Sequence, residues 1–126
     1  MPERRTNVLV VEDEALISDP IADVLNDGGF AVHAVPAAEE ALRYLESGAD
    51  VDVLFTDINL LGSMDGSMLV QEVRAQRPEL PIVYCSGRYS LFPLAPPVPS
   101  SIFVKKPYSP TEVCRLLERL TASMRP

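Results

Sequence analysis

The sequence predicts an α/β fold, an open, doubly wound, five-stranded parallel sheet with helices on both faces. Three observations predict it. Short strand-like runs rich in β-branched residues recur five times, and the first, NVLVV, is continuously apolar, as strands covered on both faces are. Segments of helical periodicity separate most of them, and strand–helix alternation is the signature of parallel sheets. The chain has 126 residues, the size of one domain with one buried interior. Crossovers between parallel strands are right-handed almost without exception.

The elements come in order. NVLVV (7–11) is the first strand. From Glu14 the period changes: Ile17, Ile21, Val24 and Leu25 share one helical face, and Asp27-Gly28-Gly29 ends it. Pro20 lies within this helix and removes a backbone donor, so a kink or a delayed regular part is expected. FAVHAV (30–35) is the second strand. Pro36 then precedes a helix with Ala38, Ala41, Leu42 and Leu45 inward, ending at Gly48. VDVLFT (51–56) is the third strand, followed by a helix from about Ser67 with Leu69, Val70 and Val73 inward, ending before Pro78. Met64 and Met68 flank the preceding loop and are expected to pack. PIVYCS (81–86) and SIFV (101–104) are the fourth and fifth strands.

SPTEVCRLLERL (109–120) carries the strongest helix signals. Ser109 and Glu112 have capping-box spacing, Pro110 sits at the first helical position, and Val113, Leu116, Leu117 and Leu120 form the stripe. One segment breaks the pattern. GRYSLFPLAPPVPSS (87–101) holds Pro93, Pro96, Pro97 and Pro99, and residues before proline avoid helical angles. The fourth helix is therefore expected to be short, at most one or two turns near Tyr89–Phe92, or replaced by a proline-rich loop. With no internal repeat and no second domain in the pattern, residues 1–126 are expected to form a single domain.

Composition narrows the function. The net charge of −7 argues against general nucleic-acid binding, which calls for a basic face. It suits a cation site, because clustered carboxylates repel one another unless a metal joins them. No run approaches the about 18 apolar residues of a membrane span, and the four apolar residues before Glu12 are too few for a signal peptide. Cys85 and Cys114 fall in apolar patterns and read as buried free thiols of a reducing compartment. A cytoplasmic protein is expected. His33, the single histidine, lies in a strand and reads as structural or surface rather than as a relay histidine.

In open parallel sheets, ligands bind beyond the carboxyl ends of the strands. Glu12-Asp13 end the first strand here, Asp57 the third, Ser86-Gly87 the fourth and Lys105-Lys106-Pro107 the fifth. Three acids, a hydroxyl and a lysine thus converge on one edge, which is equipment for phosphoryl transfer. A carboxylate can be the nucleophile and form an acyl phosphate. Mg²⁺ takes one or two carboxylates, water and phosphate oxygens. Asp13 and Asp57 can supply these carboxylates, Asn59 a backbone carbonyl, and Glu12 further support through water. Lys106 can neutralise a phosphoryl oxygen as a point charge, and Ser86 can donate to another. Lys105 reads as solvated.

With these residues in order, the chain resembles the receiver domains of two-component response regulators along nearly its whole length. The residues that carry the resemblance are VLVVEDE (Glu12, Asp13), LFTDIN (Asp57, Asn59), MDG (Asp65-Gly66), VYCSG (Ser86) and FVKKPYSP (Lys106-Pro107). The resemblance implies the flavodoxin-like strand order 2-1-3-4-5. It implies Asp57 as phosphoacceptor, Glu12 and Asp13 as the acidic pair at the metal, and Asn59 as a carbonyl ligand. Ser86 becomes the switch hydroxyl, Phe103 the switch aromatic and Lys106 the family's lysine, with a Lys106-Pro107 bond that is often cis. The implied cofactor is Mg²⁺. The implied partners are a sensor histidine kinase or phosphotransfer protein and an unnamed downstream protein, with neither nucleic acid nor membrane among them.

This chain departs from the family in two places. Leu61 stands where proline is usual, and the loop to Asp65-Gly66 is one residue longer, as in a subgroup of stand-alone and hybrid-kinase receivers. The proline-rich stretch with Phe92 leaves two readings open, a homodimer face or a plain loop. Two rival functions stand beside the receiver. One is a pseudo-receiver that only binds proteins. The other is an aspartate-nucleophile phosphatase, which would want a second aspartate at the position of Asn59 as general acid.

Overall fold

The five apolar runs become five strands: β1 (Asn7–Val11), β2 (Ala31–Val35), β3 (Val53–Asp57), β4 (Ile82–Ser86) and β5 (Ser101–Lys105). Between and after them stand α1 (Ala15–Asp27), α2 (Ala38–Glu46), α3 (Gly66–Gln76) and α4 (Pro110–Thr121). The computed structural model describes residues 5–58, 60, 64–86, 101–106 and 108–122. The expected short fourth helix, the Leu61 position, the Lys106-Pro107 bond and the proline-rich dimer face lie outside the described residues.

All strand pairings are parallel, in the order β2-β1-β3-β4-β5. Side chains alternate across the sheet and build two apolar layers. On one face Leu9, Val11, Leu54, Ile82 and Tyr84 meet Ala38, Ala41 and Leu45 of α2 and Leu69, Val70 and Val73 of α3. On the other, Val8, Val10, Val53, Phe55, Val83 and Cys85 meet Ile21 and Leu25 of α1 and Val113, Cys114 and Leu117 of α4. Every residue of β3 is buried, as expected of a central strand with helices on both sides. The site at its tip therefore stands on the most constrained strand of the sheet.

α1 runs through Pro20 from Ala15 to Asp27, and the carbonyl that Pro20 leaves without an intrahelical donor belongs to Leu16, which is 93 % exposed and open to water. Met68 is exposed rather than packed. Gly66, Leu69, Val70 and Val73 hold the buried stripe of α3, and the 100° helical step turns Met68 away from it; Met64 packs as expected. The helix ends behave as their glycines indicate. α1 and α2 run out into Gly29 and Gly48, both at positive φ (98° and 89°), as helix ends favour.

The last helix starts as its sequence signals. Ser109 Oγ accepts a hydrogen bond from the Glu112 amide at 3.1 Å, with Pro110 beside it in the first turn. Replacing Ser109 with alanine should cost about 1 kcal/mol, read as a lower urea midpoint with an unchanged slope. An unchanged midpoint would show that water serves the amide equally well.

Candidate functional site

The carboxyl ends of β1 and β3 and the residue after β5 meet at one edge of the sheet. Parallel register sets this directly. Val11 lies beside Thr56, Asp57 beside Cys85, and Ser86 beside Lys105, so the residues just beyond them emerge together. Glu12, Asp13 and Asp57 bring carboxylate oxygens within 4.8 Å of one another. Lys106 reaches across them. Its Nζ lies 2.7 Å from Asp57 Oδ2 and 3.1 Å from Glu12 Oε1.

These acids are not surface groups. Glu12 is 5 % exposed and Asp57 4 %, while Asp13 is half-buried. Burial raises the Glu12 pKa above its ordinary value, and the nearby Asp57 charge adds to this. The Lys106 hydrogen bond and the Glu14 amide, which donates to Glu12 Oε2 at 3.2 Å, hold it back only in part. Burial alone would lower the Lys106 pKa. The hydrogen bond and charge of Asp57, and then those of Glu12, outweigh it, so Lys106 titrates above the usual lysine value and stays an ammonium.

Glu12 therefore carries a testable pH signature. An acid whose folded pKa is raised contributes stability that is fully present below its unfolded value, near 4.5, and lost as pH rises through the folded value. At neutral pH its charge is a net cost to the fold. Glu12→Gln keeps an acceptor for Lys106 without the charge. Without metal it should raise the urea midpoint at pH 7 and lose that advantage below about pH 4.5. A lower midpoint at pH 7 would show that the Lys106 ion pair outweighs burial.

The backbone under Asp57 is pinned from several sides. Thr56 Oγ1 donates to the Asp57 carbonyl at 3.0 Å, the Ile58 amide donates to the Cys85 carbonyl at 2.8 Å, and the Gly66 amide donates to the Ile58 carbonyl at 2.8 Å. Asp65 caps α3 by accepting from the Met68 amide at 2.9 Å. The Tyr108 ring stands edge-on to Phe55, with centroids 5.8 Å apart. Burial pushes the Cys85 thiol up to about 12 and raises the Tyr108 phenol as well. Cys85 and Cys114 are both free and buried, as the sequence indicates.

The geometry thus brings together Glu12, Asp13, Asp57 and Lys106. Ser86 ends β4 in register with Lys105, but its side chain, like all of Asn59, lies outside the described residues. Phe103 is exposed on β5 and tilts against Tyr84, with ring centroids 5.4 Å apart. Lys105 is exposed. His33 is exposed and stacks on Tyr44 at 3.9 Å, away from the site. The support given by Gly66, Thr56 and the Glu14 amide is not marked by any charge or spacing in the sequence, apart from the Asp-Gly pair itself.

Comparison with known proteins agrees with this arrangement. The family model described as the response regulator receiver domain matches residues 8–118. Among curated relatives, the nitrogen assimilation regulatory protein NtrX of Azorhizobium caulinodans is 28 % identical over 94 % of this chain, and the sensor kinase CckA of Brucella abortus 32 % over 89 %. The matched regions make up only 27 % and 12 % of those relatives' lengths. Among solved structures, a response regulator receiver protein from Sinorhizobium medicae superimposes with a TM-score of 0.86 at 32 % identity, covering 95 % of this chain and 97 % of that one. The motifs at the strand ends, the sheet order and these likenesses agree: the chain belongs to the response regulator receiver domain family.

Proposed function

We propose that this receiver accepts a phosphoryl group on Asp57 in a two-component phosphorelay, from a sensor histidine kinase or a phosphotransfer protein. The observation that carries the reading is the Lys106 ammonium bridging Asp57 and Glu12 beside Asp13. An Asp57 oxygen attacks phosphorus, a P–O bond forms as the donor's P–N bond breaks, and the freed imidazole leaves. Most of the catalytic work is positioning and charge stabilisation. Lys106, placed beside Asp57, would neutralise charge that collects on the phosphoryl oxygens, and Ser86 is assigned the role of donating to another.

The three carboxylates fit a hard divalent cation, since their oxygens lie within 4.8 Å of one another and two of them are buried. Asp13 and Asp57, with the Asn59 carbonyl, would hold Mg²⁺, and Glu12 would support it through water. When bound, Mg²⁺ neutralises charge on the phosphoryl oxygens. The acyl phosphate then favours a state in which Ser86 and Phe103 have moved, and that state is read by a downstream protein through contact. In this reading the chain works in the cytoplasm and catalyses only its own phosphorylation and dephosphorylation. Among the described residues, no helix is long and apolar enough to cross a membrane.

Intact-protein mass tests the reading. Incubation with a small phosphodonor and Mg²⁺ should add one phosphate, and chelation of Mg²⁺ should prevent it. No gain with that donor or with phosphohistidine donors would leave a receiver-shaped binding module.

A further inference from the structure

Beyond Ile58 the β3 ladder has ended, yet Asp57 must still be held against three charged neighbours. What holds it from the far side is the start of α3. The Gly66 amide meets the Ile58 carbonyl at 2.8 Å. A Cβ at position 66 would lie 1.9 Å from the Asp57 carbonyl oxygen, 2.6 Å from Ile58 Cα and 2.8 Å from the Asp57 carbonyl carbon. All three are backbone atoms, so no side-chain rotation can make room. Gly66 is also not among the described glycines at positive φ. Its lack of a side chain is needed for space, not for backbone angle.

We propose that Gly66 is a positioning residue for the phosphoacceptor and its metal site, seating α3 against the Asp57–Ile58 backbone so that the Asp57 carboxylate meets Lys106, Glu12 and Asp13. This rests on the phosphoacceptor reading above. Any side chain at position 66 must push either α3 or the β3 tip aside. β3 is buried along its whole length and paired on both sides. The displacement therefore falls on the few atoms where strand tip and helix start meet, which are the atoms beside the reacting carboxylate. Misplacement by about 1 Å costs about a hundredfold in rate at such sites.

The test compares Gly66→Ala with Asp65→Ala. The second variant removes the cap bond to the Met68 amide and leaves the close approach intact. Gly66→Ala should weaken Mg²⁺ binding about tenfold, as loss of outer-shell support does, and slow phosphorylation by a small phosphodonor about a hundredfold. Asp65→Ala should lower the melting temperature while leaving both within about twofold. If Gly66→Ala keeps both, or if Asp65→Ala loses as much, the helix start is merely structural and the proposal falls.

Should Gly66→Ala fail to fold, amide hydrogen exchange on the parent chain decides. Mg²⁺ should slow exchange at Gly66 and leave Val73, deep in the same helix, unchanged; equal response or none overturns the proposal. A parent chain that binds no Mg²⁺ would overturn the metal-site reading together with this inference. A parent that binds it and is matched by Gly66→Ala would overturn this inference alone.

Discussion

The Asp57→Asn chain should take up no phosphoryl group from any donor, with or without Mg²⁺, while folding as the parent does. An amide has the shape of the carboxylate but is not nucleophilic at its oxygen in this sense, since attack would leave a charged imidate. The substitution also removes one of the three acids gathered within 4.8 Å, so Mg²⁺ affinity should drop by about 10- to 100-fold. Stability should hold. Lys106 keeps Glu12 as a partner at 3.1 Å, and the Asp57 charge that helps raise the Glu12 pKa is gone. Intact mass, Mg²⁺ titration and urea unfolding read the three effects separately. A phosphate found on the Asp57→Asn variant would place the acceptor elsewhere in the chain. Unfolding of the variant would mean that the Lys106–Asp57 bond is needed to close the fold.

Most of this site is legible in the sequence because parallel sheets impose a simple rule: the residues just past each apolar run emerge at one edge. Val53-Leu54-Phe55 predicts a central strand, and Asp57 at its end then has a fixed position. The same rule places Glu12-Asp13 and Lys105-Lys106 on that edge. That rule alone does not say which member of each doublet turns inward; for the lysines it is Pro107, directly after Lys106, that singles out Lys106. The structure buries Glu12 more deeply than Asp13, and exposes Lys105 while turning Lys106 onto two carboxylates. That choice is made where the chain leaves the ladder, and hydrophobic patterning carries no information there.

Other elements failed to be legible for related reasons. Proline in a helical stripe reads as a kink or a delayed regular part, yet α1 starts at Ala15 and runs through Pro20, and Leu16, whose carbonyl Pro20 leaves without a donor, is exposed. Met68 counts as apolar in any composition, but its angular position on α3 takes it out of the stripe. Gly66 reads as a turn residue, while its role depends on a contact with Asp57 and Ile58, well back along the chain. Contacts of that kind arise from packing between elements, which local sequence does not encode.

Replacing Lys106 with methionine should move metal affinity and phosphorylation in opposite directions. The ammonium already acts as a cation among these acids, 2.7 Å from Asp57 and 3.1 Å from Glu12. Methionine keeps the length and apolar stem and removes the charge. Without it, buried carboxylates face one another uncompensated, and in the metal-free protein breaking such a pair costs up to about 3–5 kcal/mol, less here because the lysine head keeps some solvent contact. A divalent cation then gains what the ammonium gave up, so Mg²⁺ should bind several-fold tighter. It should also restore stability in proportion to its occupancy, making the unfolding midpoint far more Mg²⁺-dependent than in the parent. Phosphorylation should nevertheless fall about a hundredfold, because a fixed positive charge facing the transferred phosphoryl oxygens has been lost. Urea unfolding with and without Mg²⁺, together with the rate of mass gain from a small phosphodonor, separates the two effects. If Mg²⁺ affinity instead fell in step with phosphorylation, Lys106 would be acting mainly as a strut that holds Asp57 and Glu12 in place, and its charge would be secondary to its geometry.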